Sequence, residues 1–261
     1  MRRSKVHFDF SNFSCIVTGG TKGIGYEIAD LLGRSGAHIG VCARNQNDLA
    51  HVVSEFTAKG YHFTTYRCDL TDSDAIKPMV DFFVDEFGGT IDGLVNNAGM
   101  NILESMGELR AEAVKQVIGL NLVAPILVTN AVVPYMKKES FGRIVNIASL
   151  SSVTGFYDHT AYCASKAGIL GYMQTAAVEL GKWNITVNSV GPTVVLTELG
   201  KEAWDTDVDK RKRMEAMIPL GRFLEVEDVA PSVVYLLSDA ASMISGQLLL
   251  IDGGYMTGKG I

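Results

Sequence analysis

The chain has 261 residues, of which 47% are hydrophobic and 20% charged, a balance typical of folded globular proteins and unlike that of disordered or collagen-like chains. Its 29 acidic residues outnumber its 23 Lys and Arg residues, so the formal net charge at pH 7 is −6. Proteins that bind nucleic acid neutralise phosphates with an excess of basic residues, and we therefore expect no nucleic-acid partner.

The N-terminus and the cysteines predict a cytoplasmic protein with reduced thiols. No continuous apolar run follows the basic residues of Met1–Phe10, so we expect no secretory leader. The cysteines Cys15, Cys42, Cys68 and Cys163 form no C-x-x-C pair and have no histidine at ligand spacing. We therefore expect neither a metal site nor a redox motif.

Seven short apolar runs alternate with segments of helical spacing. The runs are continuous rather than alternating in polarity, as in strands that are covered on both faces. They are Cys15–Thr18, His38–Ala43, Phe63–Arg67, Gly93–Asn96, Arg143–Ala148, Thr186–Val190 and Leu248–Ile251. This order predicts an α/β fold: a single Rossmann-type doubly wound domain over residues 1–261, with a seven-stranded parallel sheet and helices on both faces.

A glycine-rich turn over residues 18–25 separates the first strand from a helical pattern that is established at Tyr26. Glycines let the backbone approach a pyrophosphate closely, and the N-terminus of the following helix offers unpaired N–H groups to an anion. Because the turn lies between the first strand and the first helix, we predict that it binds phosphate.

The end of the second strand indicates which dinucleotide is bound. Dinucleotide-binding folds usually place an acidic residue there for the adenosine ribose, and Ala43 cannot take that role. Arg44 offers a guanidinium suited to a 2′-phosphate, and Lys22 in the glycine turn adds a second positive charge, so we predict NADP(H). After the third strand, Asp69 is expected either near the adenine or as a cap of a helix that starts at Thr71.

An uncharged segment between Lys115 and Lys137 is long enough to span a membrane. It also contains polar residues and prolines, among them Gln116, Asn121 and Pro125. We therefore predict a long helix that is buried by the core or by another subunit, and no membrane partner.

The segment Lys201–Met217 is rich in charges of both signs around Trp204. It is either a solvated surface helix or part of a mobile substrate flap over about residues 195–217. Long inserts before a final strand–helix–strand unit often serve as lids, which favours the flap.

Five motifs occur in the order and spacing found in one enzyme family. They are Thr18-Gly19-x-x-x-Gly23-x-Gly25, Asn96-Asn97-Ala98-Gly99, Asn121, Ser149 and Tyr162-x-x-x-Lys166. In these motifs the chain resembles the short-chain dehydrogenases/reductases, over nearly its whole length from Phe13 to about Gly254. The resemblance implies an oxidoreductase with a nicotinamide cofactor.

The resemblance also implies a catalytic tetrad. In it Tyr162 is the acid/base, Ser149 orients the carbonyl, Lys166 lowers the tyrosine pKa and holds the ribose, and Asn121 supports a proton-relay water. Tyr162 and Lys166 are four residues apart and share a helix face, so the ammonium should stabilise the phenolate. Each residue alone has a structural interpretation, such as capping or core packing, but their joint spacing does not.

The resemblance implies a larger set of cofactor contacts. They are Gly19, Thr21, Lys22, Gly23, Ile24, Gly25, Arg44, Asn45, Asp69, Leu70, Asn97, Ala98, Gly99, Tyr162, Lys166, Pro192, Val194 and Thr197. Asn96 and Asn97 are expected to brace the centre of the sheet. After the sixth strand the family usually has Pro-Gly, whereas this chain has Gly191-Pro192; in register, the Val194 backbone would meet the carboxamide of the nicotinamide.

Four segments are similar to those of L-xylulose/dicarbonyl reductases and related polyol dehydrogenases: Pro192–Thr197, His159–Cys163, Gly200–Trp204 and Ile218–Phe223. Arg44-Asn45-Gln46 with the neighbouring strand is similar to tropinone-reductase-like enzymes, and both resemblances imply NADPH. A pocket formed by His159, Trp204, Ser149 and Tyr162 suits a small polar ketone, ketose or dicarbonyl, or the corresponding alcohol. His159 is alternatively a solvated loop residue, and Trp204 alternatively anchors the charged helix.

Two rival functions share the same site. A β-ketoacyl thioester reductase would need a basic approach surface for an acyl carrier, and the mixed charges of Lys201–Arg213 give that little support. A non-catalytic NADP(H)-sensing protein would not need an activated phenol. The apolar surface of Gln116–Met136 and of the helix after Tyr162 predicts association of subunits, and the family resemblance implies a homotetramer, or a homodimer.

Overall fold

The computed structural model describes residues 7–198, 200, 204 and 206–257. Residues 1–6, where we expect no leader, and residues 199, 201–203 and 205 of the expected flap lie outside the described residues.

Seven parallel strands form one sheet, as predicted. They are β1 (Ser14–Thr18), β2 (His38–Ala43), β3 (His62–Arg67), β4 (Gly93–Asn96), β5 (Gly142–Ile147), β6 (Ile185–Pro192) and β7 (Leu248–Ile251). Their order is β3-β2-β1-β4-β5-β6-β7, and every neighbouring pair is parallel. The strand order therefore reverses between β1 and β4, and ligands of doubly wound sheets bind in the crevice beyond the carboxyl ends of the strands at such a point.

Helices connect the strands and cover both faces of the sheet. The helices in the described part of the chain are α1 (Gly23–Arg34), α2 (Gln46–Ala58), α3 (Ser73–Glu86), α4 (Ala111–Ile118), α5 (Ala124–Glu139), α6 (Thr160–Leu180), α7 (Val208–Ala216) and α8 (Val226–Leu237). Residues from α1, α2 and α8 form the core on one face, and residues from α3, α5 and α6 form the core on the other. The predicted Rossmann-type architecture is thereby confirmed.

The burial of the strands explains their composition. Every residue of β1, β4, β5 and β6 is buried, because helices cover both faces. Apolar residues are the majority in these strands, and polar residues such as Asn146 and Asn188 are buried with them. The edge strand β3 is only half-buried.

The long uncharged segment is a core helix with a local irregularity. Ala111–Glu139 is long and apolar enough to cross a membrane by length and composition, and half of its most apolar window is buried inside the protein. Residues 119–123 between α4 and α5 form a π-helical turn, which the sequence did not indicate. Such turns are frequent at functional sites, and this one contains Asn121.

Several boundaries differ from the sequence expectations: β1, β3 and β6 each begin one residue earlier, and β5 is shifted by one residue. The helix expected to start at Thr71 begins at Ser73, because Asp72 is its N-cap and accepts a hydrogen bond from the N–H of Asp74 at 3.0 Å. The sixth strand continues beyond Val190 to Pro192, since Gly191 and Pro192 still pair with β7.

Candidate active site

The carboxyl ends of β1, β2 and β4 border a cavity of about 740 Å³, a size common for small-molecule and cofactor sites. Of the predicted cofactor contacts, those that line it are Gly19, Lys22, Gly23, Ile24, Arg44, Asp69, Leu70, Asn97, Ala98, Gly99 and Thr197. Those that do not are Thr21, Gly25, Asn45, Tyr162, Lys166, Pro192 and Val194. The cavity also includes lining residues that the sequence analysis missed, among them Met100, Leu120 and Glu198.

The glycine turn leaves little room for side chains. Gly19 and Gly23 have positive φ values of 63° and 54°, which disfavour other residues. At Gly25 an added Cβ would lie 2.3 Å from the Nδ2 atom of Asn97 and from the carbonyl oxygen of Gly19. The turn therefore has no side chain at these glycines, and its backbone can approach a bound group.

Asn97 braces this turn, as expected for the centre of the sheet. Its Nδ2 donates to the carbonyl oxygens of Thr18 and Gly19, each at 3.0 Å. Its neighbour Asn96 donates to the side chains of Thr129 and Asn146. At the start of α1, no side chain caps the helix, so its N–H groups are available to a pyrophosphate.

At the adenosine end, Arg44 is exposed beside Ala43, but Lys22 is not a free cation. Its Nζ lies 3.0 Å from the Oδ1 of Asp48 in the first turn of α2. Asp69 accepts hydrogen bonds from the N–H and the hydroxyl of Thr71, and these bonds lower its pKa. Asp69 thus closes a local turn ahead of α3, and it also lines the cavity.

Asn121 holds two segments together inside the π-helical turn. Its side chain is 1% exposed, accepts from the N–H of Met100 and donates to the carbonyl oxygen of Met100, both at 2.8 Å, and donates to the Ser165 hydroxyl at 3.2 Å. A Cβ on Gly99 would lie 3.2 Å from the Oδ1 of Asn121 and 3.7 Å from the Nζ of Lys166. The structure therefore brings the side chains of Asn121 and Lys166 to the same glycine.

Ser149, Tyr162 and Lys166 meet at the end of β5. Ser149 caps the short 3-10 turn Leu150–Ser152, accepting from the N–H of Ser151, and it lies close enough to Tyr162 to lower the pKa of the phenol. The Nζ of Lys166 lies 5.7 Å from the centre of the Tyr162 ring and donates to the carbonyl oxygen of Ile147 at 2.7 Å.

Burial dominates the titration of this pair in the protein alone. It lowers the pKa of Lys166 to about 8, since the ammonium is 5% exposed and has no carboxylate partner among the described residues. It also raises the pKa of Tyr162, which Ser149 only partly opposes. Lys166 is not among the groups that set the pKa of Tyr162 in the chain without its cofactor, and the expectation that it lowers this pKa stays a prediction for the protein with its cofactor bound.

Of the two residues expected to contact only the substrate, His159 lies beside Tyr162 and Trp204 contacts Phe223. The ring of His159 is half-buried and 6.0 Å from that of Tyr162, and its Nδ1 is 2.6 Å from the carbonyl oxygen of Tyr157. His159 is thus an ordered neighbour of Tyr162 rather than a solvated loop residue. Trp204 packs edge-on against Phe223, with ring centres 5.0 Å apart, which matches the anchoring interpretation.

The segment after β6 is ordered by bonds to its neighbours. The N–H of Leu224 donates to the carbonyl oxygen of Val194, and the N–H of Leu196 donates to that of Leu224. Thr197 lies over the glycine turn, where its Cγ2 would be 2.9 Å from a Cβ on Gly23. In the parts of the chain that the structure describes, no cluster of three His, Cys, Asp or Glu residues is placed to hold a metal ion.

Several known proteins are similar to this chain over nearly its whole length. A family model described as enoyl-(acyl carrier protein) reductase matches residues 19–256. The chain is 37% identical over 250 residues to an L-xylulose reductase of Caenorhabditis elegans, covering 95% of this chain and 98% of that protein. It is also 37% identical over 248 residues to an NAD-dependent glycerol dehydrogenase of Listeria innocua, covering 95% of each.

A solved structure from Agrobacterium tumefaciens, provisionally assigned as a gluconate dehydrogenase, superposes with a TM-score of 0.92 at 28% identity. The match covers 97% of this chain and 100% of that one.

Proposed function

The chain belongs to the short-chain dehydrogenase/reductase family, whose oxidoreductases act on CH–OH and C=O groups, and from that premise we propose that it reduces small polar ketones, ketoses or dicarbonyls with NADPH. The reverse reaction would oxidise the corresponding alcohols. The observation that carries the proposal is the meeting of Ser149, Tyr162 and Lys166 beside a cavity of cofactor size.

The cavity suits a nicotinamide dinucleotide. The uncapped start of α1 and the braced glycine turn would hold the pyrophosphate, and Gly99 leaves space beside Asn121 and Lys166. When bound in its reduced form, the cofactor supplies the hydride that the carbonyl carbon accepts.

Side chains of this protein donate the proton to the substrate and replace it afterwards. Tyr162 donates its phenolic proton to the carbonyl oxygen, and the hydroxyl of Ser149, which lies beside that phenol, orients the same oxygen. Because Lys166 has a pKa of about 8 when buried, it exchanges its own proton near neutral pH. Asn121, fixed by Met100 and Ser165, supports the water through which that proton is replaced.

NADPH is preferred to NADH in this proposal. The second strand ends in Ala43, which cannot bind ribose hydroxyls through a carboxylate, and Arg44 is exposed beside it at the cavity wall. The glycerol dehydrogenase of Listeria innocua is NAD-dependent, so the proposed preference for NADPH depends on these residues and not on family membership.

The substrate class follows from the pocket and from the L-xylulose reductase relative. His159 presents a polar ring next to Tyr162, which suits a hydroxylated substrate. The acyl-carrier thioester alternative agrees with the description of the family model, but the segment Lys201–Arg213 carries four acidic residues beside its five basic ones, which gives a basic docking surface little support. A purely cofactor-sensing role leaves the Ser149–Tyr162 pair and the buried Lys166 without a purpose.

The remaining parts of the proposal concern the whole protein. We infer a single catalytic domain over residues 1–261, a flap around residues 195–217, a homotetramer or homodimer, and a cytoplasmic location.

The test is a panel of substrates assayed with both cofactors. Oxidation of NADPH and of NADH would be followed with ketoses, α-dicarbonyls, cyclic ketones and β-ketoacyl thioesters. The proposal expects the highest kcat/KM with NADPH and a ketose or dicarbonyl. A clear preference for acyl thioesters would support the alternative, and equal or better kcat/KM with NADH would contradict the cofactor assignment.

A further inference from the structure

The positive charge of Lys22 is already balanced within the protein. Lys22 has a side chain that is 60% exposed and pairs with Asp48 at 3.0 Å. An incoming phosphate would meet this pair and not an isolated ammonium, so the pair attracts an anion weakly. The second cation that the sequence suggested for a 2′-phosphate is therefore offset by an acid.

A different cation lies beside Arg44. Arg67 is the last residue of β3 and stands in register with Ala43, the last residue of β2. The Nε of Arg67 donates to the carbonyl oxygen of Arg44 at 3.2 Å. This bond holds the guanidinium of Arg67 against the backbone of Arg44, at the carboxyl edge of the sheet.

Arg44 and Arg67 are both exposed, and neither forms an ion pair with a residue that the structure describes. Asp69 is close enough for Arg44 to lower its pKa, but Asp69 accepts its hydrogen bonds from Thr71. The Nε of Arg67 is used, and its two terminal nitrogens have no partner among the described residues. Two neighbouring cations with unused donors make a site for a doubly charged anion.

We propose that Arg67 is a specificity-determining residue that binds the 2′-phosphate of NADP(H) together with Arg44. The inference rests on the proposed cofactor preference and names the second cation on which that preference depends. Arg44 would meet the phosphate from the end of β2, and Arg67 from the end of β3, with its terminal nitrogens. Lys22 would remain paired with Asp48.

The test measures binding and not turnover. The dissociation constants of NADPH and NADH, which differ only by the 2′-phosphate, would be determined by fluorescence titration for the native chain, Arg67→Gln and Arg67→Lys. Lys182→Gln is the matched control. Lys182 precedes β6, so this variant removes the same charge near the amino end of a strand, away from the carboxyl ends where Arg67 lies.

We expect Arg67→Gln to weaken NADPH roughly three- to tenfold, as for a partly exposed charge contact, and to leave NADH within about twofold. Arg67→Lys should retain part of the preference, and Lys182→Gln should change neither constant. If the ratio of the NADH to the NADPH dissociation constant is unchanged in Arg67→Gln, or if both affinities fall equally, the role of Arg67 is wrong. The proposed preference for NADPH would not be affected by that result. A native chain that binds NADPH no more tightly than NADH would instead contradict the proposed cofactor.

Discussion

Lys166 has an unusual environment for a lysine. It is 5% exposed, its ammonium donates to the carbonyl oxygen of Ile147, and burial lowers its pKa to about 8. A buried ammonium without a carboxylate is costly to a fold, and perturbed groups of this kind are common at functional sites. Lys166 lies beside Tyr162 and near Gly99, a position that agrees with the proposed role of its ammonium in proton transfer.

Replacing this ammonium should affect two properties together. In Lys166→Ala we expect NADPH affinity to fall, because the ribose loses a donor, and turnover to fall by roughly 10²-fold or more, because Tyr162 loses its proton source. Fluorescence titration and steady-state kinetics on the same preparation would measure both. Loss of affinity with native kcat would contradict the proton-relay role.

At the scale of elements, the turn between β1 and α1 depends on the absence of side chains. Gly25 faces Asn97 so closely that any Cβ would displace it or the Gly19 carbonyl. Asn97 in turn fixes the carbonyl groups of Thr18 and Gly19, so a shift would be transmitted to the wall of the cavity.

Gly25→Ala should therefore lower the free energy of unfolding by about 1–3 kcal/mol and weaken NADPH binding. Gly171→Ala is the matched control, because that glycine lies within α6 with no atom within 4 Å of an added Cβ. Alanine there should be neutral or stabilise the helix by up to about 1 kcal/mol. Urea denaturation would compare the two, and equal stabilities would contradict this account of the turn.

The edge pair β2–β3 carries two stacked imidazoles. His38 and His62 stand in register with ring centres 3.5 Å apart, and Glu86 lies near them through Thr64. Burial, and secondarily His62, lowers the pKa of His38 to about 4, whereas Glu86 raises it slightly. Below the usual histidine pKa of about 6.5 the unfolded chain therefore binds a proton that the folded chain does not.

The free energy of unfolding should consequently fall as the pH drops from about 6.5 to about 4, beyond what the carboxylates contribute. His38→Gln should reduce that slope. Urea denaturation at pH 7, 6, 5 and 4 would measure the slopes. Identical slopes for the native chain and His38→Gln would show that His38 does not titrate in this way.

At the scale of the whole molecule, the sequence was sufficient for the strands, their parallel arrangement and the position of the glycine turn, because these follow from local periodicity. It was not sufficient for features that depend on register or burial. The Lys22–Asp48 pair joins two elements, and the bond from Arg67 to Arg44 exists only because β2 and β3 end together. The π-helical turn and the raised pKa of Tyr162 likewise arise from packing.

The same packing leaves apolar residues on the surface. Val123 and Ile126, around the start of α5, and Val178 on α6 are exposed, as expected where other subunits would cover them. We predict a homotetramer, or a homodimer, in sedimentation experiments at micromolar concentration. Val178→Lys should shift the equilibrium toward smaller species, and a stable native monomer would contradict the prediction.

The central claim is that Tyr162 protonates the substrate oxygen. The most direct test is the Tyr162→Phe variant, which removes only the phenolic hydroxyl and its interaction with Ser149. Folding and the dissociation constant of NADPH should remain close to native, while kcat for the best ketose or dicarbonyl should fall roughly 10²- to 10⁴-fold. Near-native turnover by a variant that binds NADPH normally would contradict the claim and assign the proton to another group.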